Sequence, residues 1–201
     1  MILFKLGGSL LKNGKILNCV REIIKLKKKS IIVFGGGKFT DSVRKHQKVF
    51  KFNDLCAHNM SIISMIKMAY LIQSFFKNDL KFFEYKKELK KNFNNNKIGV
   101  WLPYQEIKEK SDSFTNWNTT SDTLSLDLAK KLDISSIIII KSSIIPRWAQ
   151  LKPKTYLDFK VVKKLSNVGI LDKNFYDFQK KNNLKVNVIS FRELKKIKKI
   201  L

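Results

Sequence analysis

The chain has 201 residues, enough for a single domain over 1–201 with a sizeable core, and its 44% hydrophobic content excludes a disordered chain. The longest unbroken apolar runs, such as Ile137 to Ile140, are far too short to cross a bilayer, so no membrane is expected among its partners. The formal net charge of +25, from 41 Lys and Arg against 16 Asp and Glu, reads either as a footprint for a polyanion or as lysine decorating solvated faces.

Decoration is the better reading. The only arginines are Arg21, Arg44, Arg147 and Arg192, and arginine is the residue that reads phosphates and bases bidentately. The lysines are scattered among Ile and Asn, so nucleic acid is not expected as a partner. Cys19 and Cys56 lack CxxC spacing, which points to reduced thiols in a cytoplasmic protein without a metal framework. Met1 runs directly into the first apolar segment, and no signal peptide is expected.

Ile2 to Lys5 reads as a buried strand. Ile16 to Leu26 has helical spacing of apolar residues and ends in lysines, which suit a helix C-terminus. Ser30 to Phe34 is a second apolar strand, and a helix over Phe39 to Gln47 follows three glycines. Asn53-Asp54 caps a long helix running to about Phe76. A short strand at Lys81 to Phe83 leads to a polar helix ending near Phe93. A turn at Asn94-Asn95-Asn96 precedes a strand over Ile98 to Leu102, stopped by Pro103. Ser111 to Asn118 is a polar loop. A helix starts at Thr120-Ser121-Asp122, and Ser136 to Lys141 is the most obvious central strand. The remainder reads as loop, a helix over Asp172 to Lys181, a strand over Val186 to Ile189 and a basic terminal helix. Strands alternating with helices imply an α/β fold: a three-layer α/β/α sandwich around a mostly parallel sheet.

Two strand ends run into glycine-rich loops. Lys5 precedes Gly7-Gly8-Ser9, and Gly35-Gly36-Gly37 follows the second strand. Consecutive glycines let backbone N–H groups approach an anion, and a following helix adds its positive end. Neither the P-loop spacing nor the GxGxxG of a dinucleotide fold is present. Lys5 is therefore either a phosphate ligand or a surface lysine at a tight turn. The triple glycine favours close approach to a ligand, since a structural turn rarely needs three. Thr120, Ser121 and Asp122 either cap a helix or, beyond that, hold phosphate oxygens, orient a lysine or carry Mg2+ through water. Trp117 either covers a ring or plugs the core. His46 reads as a surface residue and His58 as a satisfied buried one. Cys56, Phe75, Phe76, Phe82 and Phe83 read as packing.

Together these elements resemble the amino acid kinase superfamily, which pairs a KxGGS-type loop with a GGG loop and a T-[ST]-D helix start. The match spans nearly the whole chain and is closest to the furan-methyl phosphate kinases of methanofuran biosynthesis, in archaea with relatives in methylotrophic bacteria. Lys5 to Leu10, Gly35 to Arg44, Ala57 to Met60, Trp101 to Pro103 and Trp117 to Leu128 carry it. The resemblance implies an ATP- and Mg2+-dependent kinase that converts a small phosphate monoester to a diphosphate. It implies catalytic roles for Lys5 and Asp122, and ATP contacts from Gly7, Gly8, Ser9, Thr120 and Ser121. It further implies acceptor contacts from Gly35, Gly36, Gly37 and Arg44, no protein metal ligands, and a homo-oligomer.

Departures are clear. Phe34 stands where relatives often have proline. After the Ile137 to Ile140 strand, the chain reads Lys141-Ser142-Ser143-Ile144-Ile145-Pro146-Arg147, where many of these kinases carry a glycine-containing nucleotide loop. Lys141 is then the candidate cation on the ATP side. The alternative function is a non-catalytic nucleotide- or anion-binding member of the same fold. Neither histidine occupies the place beside the glycine loop that isopentenyl phosphate kinases use.

Overall fold

A computed structural model describes residues 1–94, 96–150 and 155–200. Six strands form one parallel sheet: β1 (Ile2–Leu6), β2 (Ser30–Phe34), β3 (Leu80–Phe83), β4 (Ile98–Trp101), β5 (Ser136–Lys141) and β6 (Lys185–Ser190). Their order across the sheet is β3-β4-β2-β1-β5-β6. Every residue of β1 and β2 is buried, so both faces of the sheet centre are covered. Covering requires helices in each crossover, and the chain supplies them. These are α1 (Lys15–Lys25), α2 (Lys38–Phe50), α3 (Asp54–Gln73), α4 (Lys86–Asn94), α5 (Ser121–Lys131), α6 (Phe159–Asn167), α7 (Phe175–Lys181) and α8 (Ile197–Ile200). The expected three-layer α/β/α sandwich is the fold observed.

Local chemistry accounts for the helix starts. The Asn53 side chain accepts from the Cys56 N–H at 2.8 Å and begins α3. Thr120 caps α5 and Asp158 caps α6 through side-chain oxygens. Helix α3 is long and apolar enough, by length and composition, to cross a membrane, but half of that window is buried inside the fold.

Several expectations shift. Helix α3 stops at Gln73 rather than near Phe76, which leaves Phe75 exposed rather than packed. Cys56 is exposed, not core, because it lies on the outer face of α3. Helix α6 occupies a stretch read as loop. Its signal was present, with Asp158 as cap and Val161, Val162 and Leu165 at helical spacing. Helix α7 begins at Phe175, because Asp172 is engaged elsewhere. The basic terminal helix is a 3-10 run over Phe191–Lys196 followed by one turn of α8. In the Asn94-Asn95-Asn96 turn, Asn95 lies outside the described residues.

The core runs along β5, where Ile137, Ile138, Ile139 and Ile140 are fully buried. Ile138→Ala is expected to lower unfolding free energy by about 2–5 kcal/mol in urea denaturation, the range for removing a buried aliphatic side chain.

Candidate active site

The parallel strands end in register. Leu6 pairs with Phe34 on one side and with Ile140 on the other. The chain therefore leaves the sheet at three neighbouring points, at Gly7, at Gly35 and just past Lys141. Gly7 N–H donates to the Ile140 carbonyl at 3.0 Å, and Gly35 N–H donates to that of Leu6 at 2.9 Å. Beyond this row the two glycine loops touch backbone to backbone. A Cβ on Gly8 would lie 2.1 Å from the Gly37 nitrogen, and Gly37 itself has φ +56°. Neither position tolerates a side chain. Chain order also reverses about β1, and open parallel sheets bind ligands at the C-terminal strand ends at such a point.

Two lysines and one carboxylate occupy this corner. Lys5 Nζ lies 2.5 Å from Asp122 Oδ1, and Lys141 Nζ lies 2.5 Å from Asp122 Oδ2. Lys5 and Asp122 are 3% and 2% exposed, so Lys5 is not a surface lysine. Burial pushes the Asp122 carboxyl up, but attraction and hydrogen bonds from Lys141 and Lys5 outweigh this and bring it from 3.8 down to about 2. Lys5 is lowered, first by burial and then by the like charge of Lys141, against the pull of Asp122. Buried Lys5 and partly exposed Lys141 thus share one carboxylate, and Asp172 adds a weaker attraction on Lys5.

Asp122 is delivered by the first turn of α5, and Asp172 holds that turn in place. Asp172 Oδ2 accepts from Thr120 N–H at 2.9 Å, Thr120 Oγ1 at 2.8 Å and Thr123 N–H at 3.0 Å. Its Oδ1 accepts from Thr123 Oγ1 at 2.5 Å. Burial and the nearby charge of Asp122 raise its carboxyl, while these bonds oppose the rise.

Every residue singled out as a candidate catalytic, ATP or acceptor ligand lines one cleft of about 320 Å³. Lys5, Gly7, Gly8, Ser9, Thr120, Ser121, Asp122 and Lys141 form one part. Gly35, Gly36, Gly37 and Arg44 belong to another, with Thr40 and Asp41 of α2 and Asp54, His58 and Met65 of α3. Arg44 stacks on Trp117, its guanidinium carbon 4.3 Å from the ring centroid. The Trp117 indole N–H donates to Gln47 Oε1 at 2.6 Å, and Gln47 Nε2 donates to Asp54 Oδ1 at 2.8 Å. Ser9 and Ser142 hydroxyls lie 2.7 Å apart and join the first loop to the segment after β5.

Comparison with known proteins follows this geometry. Residues 1–143 match the model of the Amino acid kinase family. The chain belongs to this family. It is 31% identical over 143 residues to the (5-(aminomethyl)furan-3-yl)methyl phosphate kinase of Methanocaldococcus jannaschii, covering 69% of this chain and 64% of that protein. Among solved structures it resembles the uridylate kinase of Archaeoglobus fulgidus, with TM-score 0.67, 18% identity, and 96% and 95% of the two chains covered. It also resembles the UMP kinase of Ureaplasma parvum, with TM-score 0.68, 16% identity, and 94% and 88% covered. Identities this low speak to fold.

Sequence reasoning missed Asp172, Gln47, Asp54 and Ser142. Asp172 carries no motif and lies far along the chain from its threonines. His58 was read as buried and satisfied, and its place in the cleft was not foreseen.

Asp122→Asn removes the carboxylate that buried Lys5 depends on and is expected to cost about 3–5 kcal/mol in urea denaturation at pH 7. Because the folded pKa lies below the ordinary one, the Asp122 contribution is complete above that ordinary value and fades as pH falls through about 2. The gap between wild type and variant should therefore shrink on acidification toward pH 2.

Proposed function

We propose that the chain is a phosphotransferase that moves a phosphoryl group from ATP onto a small phosphate monoester, giving a diphosphate. The proposed acceptor is aminomethylfuran-methyl phosphate or a close analogue, in the synthesis of a methanofuran-type cofactor, after the relative of that activity. The observation that carries the reading is a pair of ammonium groups, buried Lys5 and partly exposed Lys141, shared by Asp122 where two glycine loops abut. Phosphoryl transfer needs fixed positive charge and N–H donors around three oxygens, and this corner holds a surplus of both.

On this reading Gly7, Gly8 and Ser9 cradle the ATP phosphates, and Lys5 neutralises the transferring group. Lys141, Thr120 and Ser121 add donors on the same side. Gly35, Gly36 and Gly37 hold the acceptor phosphate at the start of α2, and Arg44 reaches it from the face of Trp117. Asp122 keeps the two ammonium groups in position. The acceptor phosphate is already ionised at neutral pH, so no residue need remove a proton. ATP, when bound, supplies the phosphoryl group, with Mg2+ on its phosphates. Both Asp122 oxygens face lysines, so the reading places the metal on the nucleotide phosphates. A homo-oligomer in the cytoplasm completes the proposal, with exposed Ile63, Tyr70 and Leu71 on α3 as an apolar face for self-association.

A coupled ADP-release assay with ATP, Mg2+ and a panel of phosphate monoesters tests this. Wild type should turn over at least one ester, and Lys5→Met should lower kcat by about a hundredfold or more while circular dichroism stays unchanged. Binding of an ATP analogue without turnover of any ester would favour a non-catalytic binder.

A further inference from the structure

The cleft holds acceptor groups as well as the cations Lys5, Lys141 and Arg44. Along the two helices that flank it, the polar groups include Asp41 on α2 and Asp54 and His58 on α3. Asp54, His58, Ser61, Ile62 and Met65 recur at helical spacing and form one lining face of α3. The middle of that helix meets the triple glycine, since a Cβ on Gly36 would sit 2.8 Å from Ser64 Cβ. At 1.5 Å per residue, His58 lies about 9 Å and Asp54 about 15 Å along α3 from that point. Asp41 stands one turn, about 6 Å, beyond Gly37 on α2.

His58 is the decisive group. It is 9% exposed, and its Nε2 lies 2.9 Å from the Glu106 carbonyl. A carbonyl only accepts, so Nε2 carries the proton and, in the neutral ring, Nδ1 is left as a bare acceptor. Among the described residues, Nδ1 has no hydrogen-bond partner. A buried imidazole lining a cleft, with one nitrogen anchored and the other open, presents a lone pair to whatever occupies the cleft. The first-turn positions of Asp41 and Asp54 suit helix dipoles on their own. Asp41 and His58 line one space, while Asp54 lies farther along α3 with its Oδ1 held by Gln47.

We propose that His58 Nδ1, with Asp41, recognises a protonated amine on the acceptor, about 6–9 Å from its phosphate. The acceptor class is then a zwitterion: phosphate on the glycine loop, ammonium against His58 and the Asp41 carboxylate. This rests on the kinase reading above and adds the residues that select the substrate.

The test compares two synthetic acceptors, aminomethylfuran-methyl phosphate and the same ester with methyl in place of aminomethyl. Wild type should favour the amine by about tenfold or more in kcat/KM, the scale of a hydrogen bond to a charged group. His58→Leu and Asp41→Asn should each cut that ratio severalfold, mainly through KM for the amine. Asp41 is exposed, so its variant reads the site even where His58→Leu fails to fold. Equal use of both esters by wild type, or equal losses on both in the variants, overturns the inference. Calorimetric binding of the same two esters separates the two readings. Tighter binding of the amine, lost in Asp41→Asn, supports this one even if neither ester is phosphorylated, an outcome that would sink the kinase proposal alone.

Discussion

Asp122 bridges two lysines that could not otherwise share one buried corner. Two ammonium groups brought together out of water repel and lose hydration, and one carboxylate between them offsets most of that. Lys5 is lowered chiefly by burial, with the like charge of Lys141 adding to that and Asp122 opposing it. Everything around it serves the placement. The register of β1 against β2 and β5 brings Lys5, Lys141 and both glycine loops to one edge of the sheet. The four hydrogen bonds to Asp172 fix the start of α5 and so the carboxylate.

The overall charge of +25 and the site charge are different matters. Most lysines are solvated and screened within about a Debye length, roughly 8–10 Å at physiological salt. Lys5 differs because burial removes that screening. In the proposed reading, the general field draws phosphorylated metabolites toward the protein and the cleft sorts them.

What could be read in the sequence follows from how local each signal is. The strands, the glycine loops and the Thr120 cap announce themselves within a few residues, and so do Lys5 and Asp122. Burial of Lys5 was undecidable from its neighbours, because it depends on β5 and α5 closing over it. Asp172 was invisible for the same reason: its partners, Thr120 and Thr123, are brought near only by the fold. Cys56 and Phe75 went wrong because apolar character on α3 does not say which face turns inward, and that helix is apolar nearly all round. His58 is the buried, hydrogen-bonded histidine that its helix suggests, while its place on the cleft wall comes only from the fold.

The most direct measurement is a crystal structure with a non-hydrolysable ATP analogue and an acceptor phosphate ester bound together. The account predicts the terminal phosphate of the nucleotide over Gly7 to Ser9 and the acceptor phosphate over Gly35 to Gly37. An acceptor oxygen should be in line with the terminal phosphorus, and Lys5 Nζ should lie between the two phosphates. Both phosphates on one loop, or Lys5 and Lys141 contacting neither, would contradict it.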